Sequence, residues 1–371
     1  MSHHARRRFM LQGMTGALAT TAWPLLALAA KARPRNYPES YRQLIDAARR
    51  EGKVVVLGST DRLSAEPLVK AFEAAYPDIR VTYSDLNTRD VDKQIRAEAN
   101  ASPVSDVVWS SAMDTQLALV QENFAQAYAS PEAHNIPSWA EWRQTAYAAT
   151  YEPVVFAYNK QLFPEAEAAT SHAALMELMQ TQRKRLSGKV VMLDMAKSSL
   201  ALMLEAQDQL ANPNHDALLQ ALGAAKIQFP PNNAQMLKQI ASGESWLGYN
   251  MLGSYAEVFS RANPQVAYVI PRDYALVVSR VMFISARSPH PNAARVWLDF
   301  VLSPAGQSVM ASQCGLGAVR EDVDGPFTLS SLRAIPGLRL RPIGVSMKLL
   351  DHLDPVRRNA LIARAHGQLG V

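Results

Sequence analysis

One cysteine, Cys314, stands in a chain of 371 residues. A lone thiol excludes an intramolecular disulfide, a zinc framework and an iron–sulfur cluster, and Cys314 reads as a buried structural residue. Catalytic signatures are missing too. There is no G-x-S-x-G elbow, no G-x-x-x-x-G-K-[ST] loop and no H-E-x-x-H pair. Gly315-Leu316-Gly317 is an isolated G-x-G with no phosphate-binding context. Of eight histidines, His3 and His4 lie at the extreme N-terminus, and the other six show no ligand spacing. His290, between two prolines, reads as a turn residue. Charge is sparse, at 19% of residues, with 38 basic against 33 acidic. Arg6, Arg7 and Arg8 supply most of that excess; without them 35 basic residues face the 33 acidic ones. No basic stripe with interleaved aromatics remains, which argues against nucleic acid as a partner. Together these absences point away from an enzyme, and no cofactor is expected.

What is present begins with a leader. Ala5-Arg6-Arg7-Arg8-Phe9-Met10-Leu11 resembles a twin-arginine export signal. A run of small and apolar residues follows, and Ala27-Leu28-Ala29 offers a small-x-small cleavage site. Gly13, Thr15, Gly16, Thr20, Thr21 and Pro24 break the run, which is too short to span a bilayer. Residues 1–32 are therefore assigned to a cleaved signal peptide. No cysteine follows the leader to carry a lipid anchor. The expected destination is a bacterial periplasm.

The remaining chain, in a sequence 48% hydrophobic, is long enough for two cores. Tyr37–Gly52 has helical spacing of Tyr41, Leu44, Ile45 and Ala48. Lys53–Leu57 is an unbroken apolar run, as in a strand buried on both faces. Gly58-Ser59-Thr60-Asp61 follows and opens a helix over 62–76. Arg80–Asp85 and Asp106–Trp109 are further strands, the second ending in Ser110-Ser111 before another helix. Tyr147–Lys160 contains the apolar run Val154–Tyr158, and Ala275–Ile284 is a second such run; both are read as crossovers between lobes. Between them lie a helix over 172–186, a buried strand over 188–194, and Ser198-Ser199 at the head of a helix. Further on come the strand Trp246–Asn250 and Gly253-Ser254-Tyr255 entering a helix. Pro291–Leu302 is an amphipathic helix with Pro just inside its start. The C-terminal segment is mainly helical and is expected to wrap back on the first lobe. The fold class is α/β, with two lobes and a hinged cleft. Lobe 1 comprises 33–149 and 279–371, and lobe 2 comprises 150–278.

In open parallel sheets, ligands sit outside the carboxyl ends of strands, where helix N-termini offer free N–H groups and partial positive charge. Any one of Ser59, Thr60, Ser110 and Ser111 alone reads as a helix cap. Two such turns on one sheet edge read as an anion cradle. Ser198, Ser199, Asn250, Ser254 and Tyr255 are the corresponding candidates from lobe 2. Arg280, on the second crossover, is the candidate full counter-charge, because Arg binds phosphate or carboxylate in bidentate fashion. Its alternative is a hinge salt bridge to Glu152 or Asp273, and Glu152 is either a ligand contact or a hinge brace.

Four stretches, K-V-V-V-L-G-S-T-D, D-V-V-W-S-S-A-M-D, V-F-A-Y-N-K and A-S-G-E-S-W-L-G-Y-N, together resemble bacterial solute-binding proteins of ABC importers. The resemblance is to the branch that binds ferric iron, hexose phosphates, phosphoglycerate or aminoethylphosphonate. It implies a periplasmic-binding-protein fold, a small solute, an inner-membrane ABC permease as partner and a monomeric carrier. Regulatory relatives imply a sensor histidine kinase as another possible partner. In ferric-binding members a tandem Tyr pair follows the Gly-Glu of the A-S-G-E-like segment. The matching positions here are Gly253-Ser254, with Tyr255 one residue late and Tyr249 the other phenol nearby. The expected solute is therefore a phosphate ester, phosphonate or carboxylate, with ferric ion held by Tyr249, Tyr255 and Glu152 as the alternative.

Overall fold

The computed structural model describes residues 37–164, 168–325 and 327–371; the leader lies outside the described residues. In chain order the first part runs α1 (Tyr41–Glu51), β1 (Lys53–Gly58), α2 (Arg62–Ala75), β2 (Arg80–Asp85), α3 (Thr88–Glu98), β3 (Val107–Ser110), α4 (Met113–Gln121), β4 (Glu141–Trp142) and β5 (Ala146–Ala148). Then come β6 (Glu152–Asn159), α5 (His172–Thr181), α6 (Arg183–Leu186), β7 (Val190–Val191), α7 (Ser199–Ala211), α8 (His215–Ala224), α9 (Asn233–Ser242), β8 (Leu247–Leu252), α10 (Gly253–Ala262), β9 (Val266–Val269) and β10 (Ala275–Val278). The last part is β11 (Val281–Ile284), α11 (Pro291–Leu302), α12 (Pro304–Val309), α13 (Leu329–Arg333), β12 (Leu340–Pro342) and α14 (Pro355–Leu369).

Two mixed sheets result. The first has the order β2-β1-β3-β11-β5-β4, and the second β12-β10-β6-β8-β7 with β9 paired to β6. β1 lies parallel to both β2 and β3. Its Val54 and Val56 enter one hydrophobic cluster while Leu57 enters another, so an unbroken apolar run is what its two covered faces require. Behind this sheet α11 packs on α1 and β1. Fully buried Trp297 meets Phe72 edge-on, with ring centroids 5.0 Å apart, a geometry that adds to area burial. Every residue of β6 is buried, as befits the centre of the second sheet.

The two crossovers lie side by side. The chain leaves the first sheet at β5 and enters the second at β6; it returns from β10 to β11. The run expected as one strand over 275–284 is thus two strands, with Ser279-Arg280 at the joint. Ala149 N–H donates to the Arg280 carbonyl at 3.0 Å. Arg280 N–H donates to Thr150 Oγ1 at 2.8 Å, and Ser279 Oγ to the Thr150 carbonyl at 2.5 Å.

Three expectations need correction. The buried strand over 188–194 shrinks to Val190–Val191, since Asp194 turns to accept N–H from Ala196 at 2.8 Å. The helix over 172–186 breaks at Gln182 into α5 and α6. The C-terminal part stays with the first core only in part, through Ile343, Val345 and Leu349. β12 pairs with β10, and α14 packs on α8, burying Ala365 and Leu369 in the second core. The apolar face of α14 has no partner written into its own sequence, so only the tertiary structure decides where it docks.

Candidate solute-binding cleft

A cleft of about 700 Å³ runs between the sheets. Each of α2, α3, α4, α7, α9 and α10 begins at its wall, contributing among others Asp61, Asn87, Ser111, Ser198, Asn232 and Leu252. Four of these starts are capped by their own side chains: Asp61 accepts from Ser64 N–H, Asn87 from Asp90, Ser198 from Ala201 and Asn232 from Gln235, at 2.9–3.2 Å. α4 and α10 start at Ala112 and Leu252 without a side-chain cap. Caps occupy one N–H each, and the remaining first-turn donors and aligned peptide dipoles favour negative charge.

Local sequence explains the tight approach at β1. A Cβ on Gly58 would fall 2.1 Å from the Tyr83 hydroxyl, which donates to the Thr60 carbonyl at 2.7 Å. Glycine is required for that tyrosine to pin the turn. Ser59 Oγ then accepts from Ser111 N–H at 3.1 Å, tying two helix-start turns together. At α10, a Cβ on Gly253 would fall 2.7 Å from the Pro153 carbonyl, so the helix start lies directly against β6.

Of the residues expected at the site, Ser59, Ser111, Ser198, Ser199 and Tyr255 line this cleft together. The others go elsewhere. Ser110 is buried, its Oγ accepting from Ala112 N–H at 3.3 Å. Thr60 is fully buried beside a small recess it shares with Ser254, Tyr255, Arg280 and Cys314. Asn250 sits in the left-handed region at φ 53°, beside a bulge in the β6–β8 pairing, and its Nδ2 donates to Asp208 at 2.5 Å. Asn is among the few side chains that tolerate that backbone, so its role is conformational.

Of the two readings left open for Arg280 and Glu152, the structure shows the salt bridge. Glu152 is fully buried and Arg280 1% exposed. Arg280 Nε and Nη2 donate to Glu152 Oε1 and Oε2 at 2.9 and 3.1 Å. Thr150 and Ser254 hydroxyls donate to the same carboxylate. Burial pulls the guanidinium pKa down, but Glu152 and Tyr255 together outweigh this and hold it above its ordinary value. The pair is the hinge salt bridge, and Ser254 belongs to it. Asp273 instead accepts from His172 N–H at 2.9 Å, with His172 Nδ1 at 3.0 Å.

Of the alternative iron ligands, Tyr255 and Glu152 both lie beside Arg280, whereas the Tyr249 hydroxyl is engaged with Asp208. Burial, reinforced by Asp208, pushes the Tyr249 phenol far above its usual range. Its hydroxyl donates to Asp208 at 3.3 Å. Glu152 is held by Arg280, and Tyr255 alone of the three lines the cleft. Among the described residues no cluster of three or more His, Cys, Asp or Glu is placed to hold a metal. Cys314 is buried, and burial pushes its thiol to about 12.

The sequence reading missed Arg89, Lys197 and the pair Asn232-Asn233. Arg89 Nη2 donates to the Lys197 carbonyl at 3.0 Å, bridging the walls. Lys197 Nζ lies 3.2 Å from Asp194. The dipeptide Asn232-Asn233 after Pro230-Pro231 was a legible helix-start signal. A smaller pocket near Ile95, Phe124 and Arg287 lies away from the crossovers, and its arginine is spent on the carbonyls of Glu98 and Ala99.

Two sheets joined by paired crossovers, with helix starts converging on the cleft between, define a two-lobed solute-binding protein. A family profile described as bacterial extracellular solute-binding protein matches residues 67–333. No curated protein matches. Among solved structures, the substrate-binding protein of an ABC transporter from Agrobacterium tumefaciens is 34% identical, covering 85% of this chain and 94% of that one, with a TM-score of 0.80. AfuA from Actinobacillus pleuropneumoniae, with fructose-6-phosphate bound, is 18% identical, covering 86% and 99%, with a TM-score of 0.70. Iron-bound HitA from Pseudomonas aeruginosa is 16% identical, covering 86% and 99%, with a TM-score of 0.67. The chain belongs to the bacterial extracellular solute-binding protein family, as the solute-binding component of an ABC transporter. No helix of the described residues is long and apolar enough to cross a membrane.

Proposed function

We propose that this chain captures a small anionic solute, a phosphate ester, phosphonate or carboxylate, between its lobes and presents it to an inner-membrane permease. The convergence of helix starts with Ser111, Ser198 and Ser199 on one cleft carries the reading. These are neutral donors, and the buried guanidinium of Arg280 is already neutralised by Glu152. Closure over the solute removes water and strengthens each bond. AfuA and HitA support the fold for either a sugar phosphate or iron. The engagement of Tyr249 and Glu152 elsewhere weighs against iron. In this reading residues 1–32 act as a twin-arginine-type export signal, and the carrier works as a monomer with the permease rather than with a sensor histidine kinase.

A thermal-shift panel of sugar phosphates, phosphonates, carboxylates and ferric citrate tests the reading. A solute at a hundred times its Kd stabilises by about 2.7 kcal/mol, a shift of several degrees. A shift with anions supports the reading; a shift with iron alone replaces it.

A further inference from the structure

After β10 and β11 have made the return crossover, the end of the chain does not settle in either lobe. β12 pairs with β10 in the second sheet. Ile343, Val345 and Leu349 then enter the first core, and Ala365 and Leu369 of α14 enter the second. The C-terminal segment thus passes between the cores twice more, apart from the paired crossovers.

Each foothold is specific. On the first lobe, the 3-10 turn Met347–Leu353 packs on α4, where His352 Nε2 lies 2.8 Å from Asp114 Oδ2. His352 is 7% exposed and Asp114 fully buried, so little water competes for that bond. On the second lobe, a Cβ on Gly223 of α8 would fall 2.3 Å from the Leu369 carbonyl; only glycine lets the end of α14 seat there. Arg364 Nη2 donates to Asp216 at 2.6 Å, and His366 Nε2 lies 3.1 Å from Asp194. The joint between the footholds has little slack. Asp354 caps α14 by accepting N–H from Val356 and Arg357 at 3.2 and 3.0 Å, and Pro355 fixes the first helical residue. The 3-10 turn also touches α7, whose Leu200, Met203 and Leu204 are buried in the first core.

We infer that residues 343–371 form a strap that limits opening of the cleft. With one end held on α4 and the other on α8, the lobes part only if one foothold is released. Hinges are places that absorb large φ/ψ changes, and the capped Asp354-Pro355 joint is not such a place. The inference concerns the solute-free chain and stands whichever solute the cleft takes.

The test is a spin-label distance across the cleft mouth of the leaderless full chain without solute. Labels sit on Thr88→Cys and Ala234→Cys, at positions that line the cleft from the two lobes, with Cys314→Ala removing the native thiol. Asp114→Ala with His352→Ala deletes the first foothold without leaving a buried charge unpaired. Gly223→Ala disrupts the second. Each widens the mean distance by more than about 2 Å, the scale of a hinge rearrangement. Gly367→Ala lies on α14 with open space around it, and it leaves the distance at the native value. If the double variant does not fold, Gly223→Ala decides alone. A variant at either foothold that melts cooperatively yet keeps the native distance overturns the inference and leaves an ordinary packing contact. Widening in Gly367→Ala overturns it as well.

Discussion

The hinge and the cleft are built from the same kinds of residue, yet they do opposite things. At the hinge, Thr150, Glu152, Ser254 and Arg280 satisfy one another in a buried interior. In the cleft, Ser111, Ser198 and Ser199 line open space, and none of their hydroxyls donates to another described residue. Residue type does not separate the two regions. What separates them is whether the fold itself supplies the partner. A buried charge that is already paired ties the two crossovers together, and in the proposed reading the unspent neutral donors are left for the solute.

The strongest way to break this contrast is at the hinge. Glu152→Ala strands the Arg280 guanidinium in a site with 1% exposure, and is expected to destabilise by about 3–5 kcal/mol, read as a large fall in melting temperature. Glu152→Leu with Arg280→Met removes both charges and recovers most of that loss, because a buried pair is often replaceable by apolar residues of similar volume. A double variant no more stable than the single would show that the pair does more than satisfy itself.

A smaller effect is expected in the cleft, and in a different observable. Ser199 caps nothing and lines the wall. Ser199→Ala should weaken anion binding by about 1.5–3 kcal/mol, the range for a hydrogen bond to a charged group, with the melting temperature of the solute-free protein nearly unchanged. Calorimetry on the variant decides it.

A third contrast sharpens what burial does to charge. Asp299 in the first core accepts hydroxyls from Tyr41, Tyr128 and Ser130 at 2.9, 2.6 and 2.5 Å. Burial nevertheless pushes its carboxyl up to about 7. The folded pKa lies above the unfolded value of about 3.9, so its contribution is full below that value and is lost as pH rises through about 7. Melting temperature should therefore fall more between pH 5 and 8 in the native chain than in Asp299→Asn. The smallest effect belongs to the rim: exposed Lys197→Ala should change anion affinity by less than about 1 kcal/mol, and by less still in high salt.

Much of the fold was legible because its signals are local. β2 falls on the Arg80–Asp85 strand and α11 on its Pro start, as read, and β1 follows from an apolar run, as a doubly covered strand requires. The strand-then-hydroxyl pattern likewise found Ser59, Ser111, Ser198 and Ser199 on one cleft. For Arg280 the sequence left ligand contact and a salt bridge to Glu152 both open, whereas Asn250 was misread because its partner lies 42 residues away, and no local pattern records a side chain already bonded to a distant one. α14 was misplaced for the same reason. Asn233 was overlooked because its neighbour Asn232 explains the helix start, and only the structure shows that the second side chain's Oδ1 is buried without a partner among the described residues.

The most direct test is to titrate the Glu152→Leu/Arg280→Met double variant with whichever anion the native chain binds. If the cleft's neutral donors hold the anion and the hinge arginine does not, the Kd stays within about threefold of native, under 1 kcal/mol. A loss of about a hundredfold or more would put Arg280 on the solute and contradict the account.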